Sequence, residues 1–191
     1  MGILAIGAAV VTVAIVIARS PSDPVEVIQT WDDARNAGDV DAALALVAED
    51  ATILGFNLIS PTQRDALRTV LEAQVIAGWH GTDAGCAVEG VTISCRYTMD
   101  DEILRRWSAA FTGVHEFTIR DGSIEAISRR HDPEVRDRIY AAALDLREWV
   151  RSTHPELYRV IWADVTSTFY TAPDGARALL DIIDEYPPPA L

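Results

Sequence analysis

The chain contains no lysine. All sixteen of its basic residues are arginine, set against twenty-nine Asp and Glu, for a formal net charge of −13. The missing lysines exclude Schiff-base chemistry and the lysine of a phosphate-binding loop. The acidic excess repels phosphate backbones and anionic headgroups, which argues against nucleic acid as a partner. Four histidines lie far apart, with no His-Glu-x-x-His and no Cys-x-x-Cys, so neither a metal site nor a cofactor is expected. A Gly-rich phosphate loop, a Gly-x-Ser-x-Gly elbow, internal repeats and low-complexity tracts are also missing. Only two cysteines occur, Cys86 and Cys95.

What is present is a 191-residue chain, 49% hydrophobic, enough for one domain with appendages. The apolar run that opens at Gly2 and closes at Ala18 carries no charge. At the helical rise it reaches about 25 Å, marginal for a bilayer. It reads as a membrane anchor holding the domain outside the cytoplasm, or as a cleaved secretory signal. A buried core helix is the blander reading, disfavoured because the run is apolar on every face.

From Asp23 the pattern predicts a helix, with Asp as N-cap, Pro24 at the first position, Val27, Ile28 and Trp31 at helical spacing, and Gly38 at its end. Asp39 caps a short second helix, and residues 51–56 read as a strand ending at Phe56. A capping box over 60–63 starts a third helix. Strands and hairpins follow. With Gly90-Val91 as a two-residue turn, Val88 faces Ile93 and Cys86 faces Cys95, a pairing that suits a cross-strand disulfide. A turn one residue earlier breaks that pairing and leaves two unlinked thiols. Asp121-Gly122 is a strong hairpin signal. Its regular register sets Phe117 against Ala126 and His115 against Ser128 on an apolar face, and puts Glu116, Glu125, Ile127 and Arg129 on a charged, solvated one. After residue 132 three amphipathic helices are expected, able to lid the core, pack on its sheet or form a homodimer.

The Asn36-Ala37-Gly38-Asp39 break, the Ala48-Glu49-Asp50-Ala51-Thr52 lead into the first strand, and the Arg120-Asp121-Gly122-Ser123-Ile124 turn together resemble the nuclear transport factor 2-like superfamily, in particular its SnoaL-like domains. The resemblance implies an α+β fold, a bent antiparallel sheet around three helices forming a cone with an internal pocket, over residues 21–132. Residues 1–20 form the apolar segment and 133–191 a helical extension. Relatives of this kind include isomerases, cyclases, dehydratases, epoxide hydrolases and non-catalytic binding modules. In the enzymes, a carboxylate or histidine in an apolar cone acts on a small, mostly apolar substrate. The Asp-Arg-Asp set of the epoxide hydrolase branch has no alignable counterpart.

Candidates therefore come from the pattern. His115 lies on the apolar face, either as a titrating group or as a core histidine. Asp100 is a weaker acid candidate, more readily a cap for the next segment. Trp31, Tyr97, Trp107 and His115 are the candidate lining, each with an alternative role in packing. The leading expectation is a pocket for a small apolar molecule without identified chemistry. The alternatives are an isomerase, cyclase or hydrolase using a buried His or carboxylate, and a dimerising scaffold.

Overall fold

The computed structural model describes residues 23–55, 64–162, 170, 172–187 and 189. Phe56, the capping box over 60–63 and the apolar run over 2–18 lie outside them. Among the described residues, no helix is long and apolar enough to cross a membrane.

Helix α1 (Pro24–Asn36) starts as its cap dictates. Asp23 accepts the Val25 amide at 2.9 Å, and Pro24 occupies the first turn, where a missing N–H costs nothing. Gly38, at φ +73°, takes the left-handed conformation that closes it. Asp39 accepts the Ala42 amide and caps α2 (Val40–Ala45). Strand β1 (Val47–Leu54) begins earlier than expected, because the Ile124 amide captures the Leu46 carbonyl at 2.8 Å. Helix α3 (Arg64–Ile76) turns Leu67, Val70 and Leu71 inward.

Four further strands follow: β2 (His80–Glu89), β3 (Thr92–Asp100), β4 (Phe111–Arg120) and β5 (Ser123–His131). The short helix α4 (Glu102–Arg106), capped by Asp101, separates β3 from β4. The sheet order is β1-β5-β4-β3-β2. The expected α+β architecture is present, with one refinement. The β2–β5 pairs are antiparallel, whereas β1 joins the free edge of β5 in parallel.

Two clusters form the core. One lies between α1, α2, α3 and the sheet, around Trp31, Leu67, Ile93 and Phe117. Each such side chain, fully buried, contributes roughly 1.5–3 kcal/mol of transfer free energy. The other gathers the C-terminal helices α5 (Pro133–Thr153), α6 (Pro155–Ile161) and α7 (Pro173–Ile182) on α3, α4 and the sheet end at Tyr97 and Phe111. The Tyr170 hydroxyl donates to the buried Asp101 carboxyl at 2.7 Å, tying this region to the α4 cap. Tyr140 of α5 packs edge-on against Phe111 and His131.

Candidate functional site

The inner face of the sheet is set by two departures from regular pairing. Near the first hairpin the register is as expected: Glu89 pairs with Thr92 and Val88 with Ile93, with Gly90 at φ +64°. Between Ala87 and Ala84 it slips by one residue, so Gly85 and Cys86 together oppose Cys95. Gly85, at φ +58°, supplies the left-handed residue of this bulge. Cys86 and Cys95 form the disulfide. Because side chains alternate with period two, the slip sets Asp83 opposite Tyr97, facing inward.

The second departure corrects an expectation. Ile119 pairs with Ile124, but Thr118 then pairs with Ala126, leaving Glu125 as the extra residue. Every later residue of β5 changes face. Phe117 lies opposite Ile127, not Ala126, and His115 lies opposite Arg129, not Ser128. Arg129, expected on a solvated face, points into the protein, and His131 follows it.

These residues meet Asp32 and Arg35, which share the buried face of α1 with Trp31. The Asp83 amide donates to Asp32 Oδ2 at 2.8 Å, and Arg35 Nη1 stands 3.9 Å from Asp32 Oδ1. The Arg35 guanidinium lies between the rings of Trp31 and Trp79, 4.1 and 3.7 Å from their centroids. His115 is bonded at both nitrogens. Arg129 Nε–H donates to Nε2 at 2.8 Å, so in the neutral ring Nδ1 carries the proton and donates to Asp83, whose oxygens both stand at 2.8 Å. The Tyr97 ring stacks on His115 at 4.2 Å, and its hydroxyl is hydrogen-bonded to His131 Nδ1. Gly113 leaves room for that ring: a Cβ there would sit 2.8 Å from the Tyr97 hydroxyl.

Burial dominates the electrostatics. It pushes the Asp83 carboxyl up to about 8, helped by the neighbouring Asp32 and opposed by Arg35 and Arg129. Asp32 is raised for the same first reason, against the pull of Arg35. Two carboxyls in contact thus hold a proton that exposed ones would have lost. Whichever Asp83 oxygen carries it, the other can accept from His115. Burial, then Arg129, holds His115 neutral well below its ordinary 6.5 and His131 at about 4. Burial raises the Tyr97 phenol, which stays a donor, and lowers Arg35 to about 9.

Of the residues singled out from the sequence, Trp31, Tyr97 and His115 come together here. Asp100 does not: it ends β3 and accepts Arg105 Nη1 at 2.5 Å, beside α4. Trp107 lies in the second cluster, against Tyr186. Asp32, Arg35, Asp83, Arg129 and His131 escaped the sequence reading. The clues to them were a glycine inside a strand pattern at 85 and an isoleucine, Ile127, on a face otherwise charged. No Asp-Arg-Asp set is alignable, yet Asp32, Arg35 and Asp83 meet from α1 and β2. Among the described residues, no group of three or more His, Cys, Asp or Glu is placed to hold a metal ion.

Solved structures share the fold. The epoxide hydrolase/cyclase-like enzyme SalBIII, which has a role in pyran ring formation in the polyether salinomycin, is 20% identical at a TM-score of 0.50, covering 58% of this chain and 92% of its own. IdmH of Streptomyces antibioticus, provisionally assigned as a polyketide cyclase, is 20% identical at a TM-score of 0.50, covering 59% of this chain and 94% of its own. A search of the curated proteins gives no match. The family model for the SnoaL-like domain matches residues 28–127, more than half of the sequence, and the chain therefore belongs to the SnoaL-like, nuclear transport factor 2-like family.

Proposed function

We propose that the inner face of the sheet is an acid–base site for a small, largely apolar molecule, in the class of isomerases, cyclases or hydrolases. The observation that carries this reading is the polar network on the inner face of the sheet: two carboxyls, two guanidiniums and two imidazoles on a face that could have been apolar. Burying charge is costly, and an apolar replacement is often as stable, so stability alone does not call for such a network. Asp83 is the group that exchanges a proton, since its raised affinity lets it act as an acid near neutral pH. His115, bonded at both nitrogens, fixes and polarises Asp83. With Tyr97 donating to Nδ1, His131 carries its proton on Nε2 and is a second donor, suited to a carbonyl or ether oxygen.

The role of SalBIII in pyran ring formation and the provisional assignment of IdmH as a polyketide cyclase support the substrate class, and the fold they share supports the pocket. A location outside the cytoplasm fits the Cys86–Cys95 disulfide, a bond that persists in oxidising compartments, and the apolar run over 2–18.

The test is a panel of small apolar ketones, lactones and epoxides, screened for binding by ligand-observed NMR and then for turnover. Conversion of a member by the wild type, with Asp83→Asn at least 100-fold slower at unchanged affinity, is expected. No binding across the panel, or equal turnover by Asp83→Asn, overturns the proposal.

A further inference from the structure

Strand β2 is held in two registers at once. Its turn-side half is fixed by the Gly90-Val91 turn and by the Cys86–Cys95 disulfide. Its other half is fixed from α1, where the Asn36 side chain brackets Gly81, accepting from its amide at 3.0 Å and donating to its carbonyl at 2.8 Å. The Asp83 amide is bonded to Asp32 in the same stretch. The halves differ by one residue, and Gly85 lies between them. Continuing the turn-side register would put Asp83 opposite Thr98, whose side chain is exposed, and turn it to the outer face. The observed register puts it opposite Tyr97 and within reach of His115.

We propose that Gly85 is a positioning residue for Asp83: its left-handed backbone absorbs the one-residue mismatch and so decides that the carboxyl faces inward. A Cβ at Gly85 would meet nothing within 4 Å, so a substitution there acts through the backbone and not through a clash. The disulfide takes part by preventing the hairpin end from sliding to relieve the mismatch. The inference rests on the reading of Asp83 as the proton-exchanging group, but its test does not use turnover.

The arrangement predicts an inverted order of damage. A non-glycine residue at position 85 penalises only the inward register, by about 5- to 30-fold in the inward-to-outward ratio, more for a β-branched side chain. Deleting Gly85 removes the mismatch itself. Ala84 then pairs with Arg96 and Cys86 falls opposite Cys95 in a regular ladder, with Asp83 still inside. A residue with a merely structural role would show the reverse, since a deletion within a strand is ordinarily worse than a substitution.

The experiment follows the downfield His115 Nδ1–H resonance in the oxidised full chain by proton NMR. The variants are Gly85→Val, Gly85→Ala, Gly85→Asn and the Gly85 deletion. Val is expected to abolish the resonance and Ala to weaken it, while Asn, which tolerates the left-handed region, and the deletion retain it. Should Val not fold, Ala and the deletion decide. Loss of the resonance on deletion, or its full retention in folded Val or Ala variants, overturns the proposal. A wild-type network with the expected behaviour but no activity on any substrate would overturn the functional reading and leave this inference standing.

Discussion

Raising the pH from 7 to 8.5 should destabilise this protein, and Asp83 is the reason. Its side chain is 1% exposed, and burial together with Asp32 lifts its carboxyl from 3.8 to about 8. Between those values the folded chain holds a proton that the unfolded chain has released, so stability falls as pH rises, by about 1.4 kcal/mol per unit while the folded group stays protonated. The loss levels off as pH passes the folded value. The neutral histidines act in the opposite sense, since their folded affinities lie below 6.5, and their contribution is nearly complete by pH 7. Arg35, lowered to about 9, begins to oppose the trend only above that pH. The interval from 7 to 8.5 therefore reports on the Asp83–Asp32 pair, and linkage gives a fall of about 1 kcal/mol across it. Urea unfolding of the oxidised chain, with the m-value checked for constancy, measures it. Asp83→Asn should show no such fall. A wild-type stability that is flat or rising over this interval, or an equal fall in Asp83→Asn, would refute the assignment.

On the acid side, His131 binds protons less readily when folded, so its stabilisation is complete above 6.5 and is lost as pH drops toward 4. By pH 5 the loss should be about 1–2 kcal/mol after discounting for its partial exposure. His131→Gln should shallow that limb of the urea profile, and an unchanged limb would contradict it. Gly113→Ala should cost about 3 kcal/mol or more, because its Cβ would lie 2.0 Å from the Arg130 carbonyl and 2.8 Å from the Tyr97 ring. A thermal melt within a degree or two of the wild type would count against that packing. Tyr170→Phe removes a donor from the buried Asp101 carboxyl and should cost about 1–3 kcal/mol in urea unfolding. A cost near zero would mean that the bond does not hold the C-terminal helices to α4.

Much of the fold was legible because short-range chemistry governs it. Asp23-Pro24, Asn36-Ala37-Gly38 and Asp39 bound the first two helices through caps that involve only near neighbours. Gly90-Val91 and Asp121-Gly122 fixed where both hairpins turn, and Asp121 and Gly122 carry the positive φ that their turn requires. The site was not legible, because pattern reading extends a register outward from a turn and both strands that matter break it. A single extra residue at Gly85 or Glu125 reverses which face every later side chain takes, and only Gly85 and the misplaced Ile127 hint at the two bulges. Asp32 and Arg35 were hidden for a different reason. On α1 nothing in their spacing marks them out until β2 supplies Asp83, some fifty residues further on, and β5 brings Arg129 toward Asp32, some ninety further on.

The two bulges also explain each other. With the β5 bulge alone, Arg129 would enter beside Arg35 while Asp83 stayed outside, so two guanidiniums would share a buried site with one carboxyl. With the β2 bulge alone, Asp32 and Asp83 would face each other with only Arg35 to offset them, and His115 would have Ser128 in place of Arg129 across the strand. Either state leaves a buried member of the network without its partner across the sheet, a cost of about 3–5 kcal/mol when a buried pair loses one partner. Together the bulges bring in one acid and one base, which join Asp32 and Arg35 in a single hydrogen-bonded network. An irregularity in β2 is thus tied to one in β5 through His115, which accepts from Arg129 on one nitrogen and donates to Asp83 on the other. Neither bulge is a local accident of its own hairpin, because each supplies a hydrogen-bond partner to the side chain that the other buries.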